Sequence, residues 1–268
     1  MRKFTFLVLY FFLTVPVLTF AQSLTGEFET VRTFQTKKAH QGVAVDKQCV
    51  YTINTKGIGK YDKQSGAFIS EWNDTTGKII HFDGAVVVGR KIYCAHSNYP
   101  GVPMTGSIEI FDKNTLKHVG SQSFGTKYGS CTWADFYNGY WWVCFGHYDR
   151  FTAETGTDVR WTTLVRFDRN WNETASWVFP KNLIAEFKPM SNSGGSWGPD
   201  GNLYVTGHDS TKVYLLQIPE MGSILRYVGT LKVDFNGQGI AWDRSRKGRL
   251  YGIMRKKDLV VEEQLSPR

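Results

Sequence analysis

Several common signatures are missing from this chain. It has four cysteines, Cys49, Cys94, Cys131 and Cys144, whose spacing fits no zinc motif. Cys94 and Cys144 lie inside apolar strand patterns, so burial as small hydrophobes is expected, with disulfides open to them in an oxidising compartment. Basic residues form no dense run. The formal charge of +8 falls to +6 once Arg2 and Lys3 are set aside (8 − 2 = 6), which argues against nucleic acid as a partner. No stretch after residue 21 is apolar enough to cross a bilayer, so no stable membrane insertion is expected. NSGGSWGPDG is rich in glycine but leads into a strand pattern, so it is neither a dinucleotide fingerprint nor the strand-to-helix elbow of a serine nucleophile.

The first 21 residues read as a leader. Arg2 and Lys3 form a positive segment, FTFLVLYFFLTVPVLTF (4–20) is an apolar core, and Thr19-Phe20-Ala21 is a small-residue cleavage site. A retained anchor is the competing reading, against which the run is short and carries Pro16. Residues 22–268 are then expected as a single periplasmic or secreted domain, acting as a monomer.

Most informative is a repeat of four short β-rich runs separated by turn residues. The first unit holds GVAVD, CVYTIN, IGKYDKQSG and FISEW. Third runs echo one another most clearly (IGKYDKQSG, SIEIFDKNT, LVRFDRNW), each alternating and then turning at Asp-Lys or Asp-Arg. First runs begin near 42, 84, 130, 195 and 239, giving spacings of 42, 46, 65 and 44. That is the length of a propeller blade, with an insertion at 149–161 and a connector, LIAEFKPMSN, stretching the third interval. The fifth unit stops one strand short, and EFETVRTFQT (27–36) resembles the missing fourth run. The expected fold is an all-β, five-bladed β-propeller closed by its N-terminal strand, with six blades as the alternative if 149–194 hides another strand pair.

Blade topology places the loop leading into each first strand and the loop after each second strand on one face. His40 and His81 lie in the former, and His96, His147 and His208 in the latter, so all five share a face, while His118 falls on an outer strand. Gln41 and Gln238 precede matched glycines in HQGVAVD and GQGIAWD. Asp83 lies beside His81, and Arg255 takes the repeat position of His208. Ser130 and Ser193 lead into the third and fourth blades, and Trp133 and Trp197 recur in first strands where they could wall the channel. Taken singly, each histidine is a strand-end hydrogen-bonding residue, each Asp a turn former and each Trp a packing residue. Their convergence from separate blades points to a site.

Two chemistries suit such a set. His40, His81, His96, His147 and His208 with a glutamine are credible ligands for one divalent metal, zinc, manganese or iron, whose open position would polarise a carbonyl. Without metal, His40, His81, His147 and His208 could move protons, with Arg255 holding an anionic small-molecule substrate and Gln41, Asp83, Ser130, Ser193, Trp133, Trp197 and Gln238 contacting it. Either route favours lyase, isomerase or lactone-hydrolase chemistry. A five-bladed glycosidase is set aside because it needs two or three inner-strand carboxylates, and only Asp83 is so placed; Asp46, Asp135, Asp200 and Asp243 sit at the far ends of first strands. The rival class is a non-catalytic binding propeller that uses its aromatic residues and loop 149–161.

HQGVAVD, PGVPMTGSIEIFD, SCTWADF with WWVCFGHYD, SNSGGSWGPDGNLYVTGHD and GQGIAWDR resemble a group of bacterial secreted propeller proteins often labelled cycloisomerases. The resemblance covers almost all of residues 22–268 and implies the propeller fold more strongly than the reaction. A fainter likeness is to the five-bladed glutaminyl cyclotransferases, whose first blade opens on T-Q-G-L, comparable to His40-Gln41-Gly42-Val43.

Overall fold

The computed structural model describes residues 26–267, so the leader and its cleavage site lie outside the described residues. Five four-stranded antiparallel sheets form a five-bladed β-propeller. Blade 1 holds β1 (Gly26–Gln35)'s successors in the chain, β2 (Gly42–Val45), β3 (Cys49–Asn54), β4 (Gly57–Asp62) and β5 (Phe68–Asn73). Blade 2 is β6 (His81–Val88), β7 (Lys91–Ser97), β8 (Gly106–Asp112) and β9 (His118–Gly125). Blade 3 is β10 (Ser130–Tyr137), β11 (Tyr140–Gly146), β12 (Thr163–Phe167) and β13 (Glu173–Val178). Blade 4 is β14 (Gly194–Trp197), β15 (Leu203–Thr206), β16 (Lys212–Gln217) and β17 (Arg226–Lys232). Blade 5 is β18 (Ala241–Trp242), β19 (Arg249–Met254) and β20 (Leu259–Pro267), completed by β1.

The ring closes as the repeat predicts. β1 pairs antiparallel with β20 from Gly26↔Pro267 to Gln35↔Leu259. Between 149 and 194 the chain adds short 3-10 turns, helix α1 (Thr152–Thr155) and helix α2 (Lys181–Phe187) around β12 and β13, and no sixth blade forms among the described residues.

Burial follows position within the blade. Inner strands such as β2 and β10 are buried over most of their length, whereas outer strands such as β5 and β9 alternate between half-buried and exposed. This is why the first and second runs read as nearly continuous apolar stretches and the fourth runs as alternating ones. Each of five hydrophobic clusters fills one blade–blade interface, for example Ala44, Tyr51 and Ile53 of blade 1 against Phe82, Ile92 and Phe111 of blade 2. Cys94, Cys131 and Cys144 are buried in three of these interfaces as free thiols, and half-buried Cys49 is free as well.

The third-run aspartates turn the hairpins as expected. Asp62 Oδ1 accepts from the backbone N–H groups of Gln64 and Ser65, and Asp112 does the same for Asn114 and Thr115. At the axis the leading ends of the inner strands approach closely enough to require glycine. A Cβ on Gly239 would lie 3.0 Å from the Cα atoms of both Gly42 and Gly84, so these residues of blades 5, 1 and 2 pack backbone to backbone.

Candidate functional site

On one side of that glycine contact lies a cavity of about 160 Å³. Its walls come from the leading ends of inner strands (Gln41, His81, Asp83, Ser193, Gln238) and from the ends of second strands (Tyr148, His208, Arg255). Tyr99, Thr132 and the segment 190–192 complete it. Blades 1 to 5 all contribute, which is the convergence that the topology predicts.

Asp83 is the centre of the site. It is 8% exposed, and its Oδ1 lies 3.4 Å from His81 Nε2. Its Oδ2 is buried and has no hydrogen-bond partner. Burial opposes the His81 imidazolium, but the hydrogen bond to Asp83 and its charge outweigh that, and the His81 pKa is raised from the ordinary value. The His81 ring packs on Tyr99, which in turn packs on Tyr148, with ring centroids 5.1 Å apart in each pair. Burial, reinforced by the charge of Asp83, pushes the Tyr148 phenol well above its usual range despite its neighbour Ser130, so the phenol keeps its proton. Ser130 itself is fully buried behind Tyr148.

Across the cavity, burial lowers the His208 pKa and nearby Arg255 adds to that, against the opposing charges of Asp209 and Asp83. Arg255 was expected as an anion anchor, but its Nη2 donates to Asp209 Oδ2 at 2.6 Å, so its charge is already paired. Gln238 is 2% exposed, and its Nε2 has no partner. The repeat-equivalent Gln41 donates through Nε2 to Thr55 Oγ1.

Three expected histidines are placed elsewhere. Half-exposed His40 pairs with Asp258 through Nε2 at 3.0 Å. His96 accepts from the Ile80 N–H through Nε2, so its Nδ1–H donates to Ser107 Oγ, fixing the loop that delivers His81. His147 holds the Tyr128 carbonyl through Nε2 and Thr157 Oγ1 through Nδ1. Burial lowers the pKa of both His96 and His147. With these ring nitrogens engaged, the five-histidine metal set does not assemble, and no three His, Cys, Asp or Glu side chains are grouped to hold a metal ion among the described residues.

The two first-strand tryptophans also depart from expectation. Trp197 is 4% exposed and stacks on Tyr137 across the blade 3–blade 4 interface. Trp133 is 1% exposed, packs over Gly195 and donates through Nε1 to Asn192 Oδ1. Neither lines the cavity: Trp133 braces it through Asn192, and Trp197 lies at the far end of β14 against Asp135. Ser193 does line it, with its hydroxyl near the Ser191 carbonyl. The string GGSWG (194–198) has G-x-S-x-G spacing, but it forms β14 and leads into no helix. Ser196 Oγ donates to Asp135 Oδ2 and accepts from the Trp242 N–H, so it is no nucleophile elbow.

Tyr99 and Tyr148 were not anticipated. Tyr148 directly follows His147, and successive residues at a strand end point to opposite sides. His147 turns to a second, larger cavity of about 650 Å³ that Val102, Met104, Tyr128 and Trp161 also line. The insertion 149–161 supplies part of its wall, held by Asp149 Oδ1 accepting from the Val159 N–H.

No protein-family model matches this chain, and no curated protein matches it in sequence. Solved structures do match in fold. Glutaminyl cyclase from Myxococcus xanthus is similar with a TM-score of 0.61 and 11% identity, over 92% of this chain and 100% of that one. The PQQ-bound aldose sugar dehydrogenase from Streptomyces coelicolor is similar with a TM-score of 0.54 and 9% identity, over 91% and 99%. A luciferin-regenerating enzyme is similar with a TM-score of 0.53 and 10% identity, over 90% and 95%. At such identities the likeness is one of fold, and it joins this chain to a set of propellers whose members include enzymes.

Proposed function

We propose that the protein is an extracytoplasmic enzyme that moves protons on a small polar substrate at the mouth of the propeller channel. The reaction class is cyclisation or its reverse, isomerisation, β-elimination or lactone opening. The observation that carries this reading is Asp83, a carboxylate with one oxygen against His81 and the other buried with no protein partner. Buried polar atoms are almost always satisfied, and an unpaired one in a cavity is an acceptor waiting for a ligand. Asp83 Oδ2 would take a proton from the substrate. The electron pair left behind opens or closes a ring or forms an enolate, and His81 or the Tyr148 phenol returns a proton. The enzymatic propellers among the structural neighbours support an active site in this fold, and the cycloisomerase-like motifs favour this class of reaction.

The test is turnover of a panel of lactones, hydroxy acids and cyclisable amides by the wild type and Asp83→Asn. A rate lower by about 10²–10⁴ in the variant supports the reading. Equal rates exclude Asp83 as the base.

A binding function is favoured by one separate feature, the 650 Å³ cavity whose wall includes Trp161, a tryptophan left 57% exposed on the insertion. Ligand capture there that survives Asp83→Asn, with no turnover of the panel, would favour that reading.

A further inference from the structure

The backbone of Gln238 adopts φ +80°, the left-handed region that side-chain-bearing residues avoid. Glycine stands on both sides of it, in Gly237-Gln238-Gly239, yet the strained position itself carries a glutamine. The strain is held from outside. Thr206 Oγ1 donates to the Gln238 carbonyl at 2.6 Å, and the Gln238 N–H donates to the Gly207 carbonyl. Gly194 packs so closely on that carbonyl that a Cβ there would lie 2.2 Å from the oxygen. The result is a residue lining the cavity whose side-chain amide is buried with an unpaired Nε2 donor. A residue serving only to fold would be glycine here, or would have its amide satisfied as Gln41 does.

Charge narrows what the amide meets. Arg255 is the one Lys or Arg lining the cavity among the described residues, and Asp209 occupies it. A substrate carboxylate would therefore face Asp83, beside His81, with only a guanidinium already paired to Asp209 to receive it.

Building on the acid–base reading above, we infer that Gln238 donates through Nε2 to the carbonyl oxygen of an uncharged carbonyl substrate, a lactone, lactam or amide, whose labile proton faces Asp83. Gln238 is then the donor that steadies negative charge developing on that oxygen, and the substrate is neutral where Arg255 in the sequence suggested an anion.

The test is binding, read separately from turnover. Protein-observed NMR titration compares δ-valerolactam, a neutral carbonyl probe, with valerate, an anion of similar size, on wild type, Gln238→Glu and Gln238→Gly. Wild type is expected to bind the lactam more tightly than valerate, with shifts confined to residues lining the smaller cavity. Both variants should weaken lactam binding by about tenfold or more. Gln238→Gly should keep or raise the melting temperature, because glycine relieves the left-handed strain, which separates lost recognition from lost folding. Valerate binding as tightly as the lactam, no lactam binding to wild type, or lactam binding unchanged in Gln238→Gly would each overturn the inference. Lactam binding that depends on Gln238 while Asp83→Asn keeps full turnover would instead sink the acid–base reading and leave this one standing.

Discussion

The two mouths of the channel are built from the same inner strands and from similar residue types, yet they treat charge in opposite ways. At the far ends of the inner strands three carboxylates are answered by a cation from another blade, and the fourth, Asp200, is held within its own blade by Asn202 and Tyr204. Asp46 Oδ2 accepts from Lys113 Nζ at 2.7 Å, Asp135 holds Arg244 Nη2 at 2.7 Å and also the Trp197 N–H, and Asp243 Oδ2 accepts from Lys63 Nζ at 2.7 Å. Lys63 and Asp243 join blade 1 to blade 5 with side chains 2% and 1% exposed. At the leading ends, Asp83 Oδ2 and Gln238 Nε2 have no partner at all. Paired carboxylates at one mouth hold the ring together, and the unpaired carboxylate oxygen and amide at the other are what a ligand would satisfy. The same residue type is structural or functional according to whether the protein completes its hydrogen bonds.

The comparison is broken most severely at the closed mouth. Lys63→Ala leaves the Asp243 carboxylate buried with its cation gone, and unfolding in urea should show a loss of about 3–5 kcal/mol. Turnover lost in that variant should follow the loss of folded protein and recover where the fold is intact.

Glu263 sharpens the contrast, because its Oε2 is also unpartnered but lies on β20, away from the cavity. Burial, with the nearby Asp234 charge, raises its pKa to about 7 against the single backbone N–H of Asp234 that favours the anion. A folded-state value above the unfolded one means the associated stability is present in acid and is lost as pH rises from about 4.5 through about 7. Relative to wild type, Glu263→Gln should therefore gain of the order of 2 kcal/mol between pH 5 and pH 8, read from melting curves at the two values. An open valence outside the cavity is thus closed by a proton, whereas the proposed function has the one inside it closed by a ligand.

The smallest effect concerns His81. Its pKa is raised in the folded protein, so its contribution is complete below the ordinary histidine value and declines as pH rises through the folded one. His81→Gln should cost more stability at pH 5.5 than at pH 8.5, by less than about 1 kcal/mol between them. A pH-independent difference would mean that Asp83 does not hold the imidazolium.

Much of the fold was legible because a propeller writes its period into the chain. Asp-Lys or Asp-Arg turns marked the third strands of blades 1 to 3, and the missing last strand pointed to residues 27–36, where β1 indeed closes blade 5. The placement of the site was legible for the same reason, and His81, Asp83, His208, Gln41, Gln238, Ser193 and Arg255 do share one cavity. What the pattern could not supply was direction. A strand end places two consecutive side chains on opposite sides, so His147 and Tyr148 were equally placed by topology and only Tyr148 reached the cavity. Nor could it supply partners from distant positions. Asp258 for His40, Ile80 and Ser107 for His96, and Tyr128 and Thr157 for His147 turn three expected ligands into structural residues. Trp133 and Trp197 were read as channel walls because inner strands face the axis, but their rings reach sideways into the interface with the next blade.

The central claim, that one mouth is closed for stability and the other open for function, is tested most directly by urea unfolding of Asp83→Asn beside Asp243→Asn. The account predicts that Asp83→Asn unfolds within about 0.5 kcal/mol of wild type or above it, because the carboxylate it removes is buried without a full set of partners. Asp243→Asn should fall by about 3 kcal/mol or more, because Lys63 loses its counter-charge. A loss in Asp83→Asn as large as that in Asp243→Asn would contradict the account, since Asp83 would then be as structural as the ring of ion pairs at the other end.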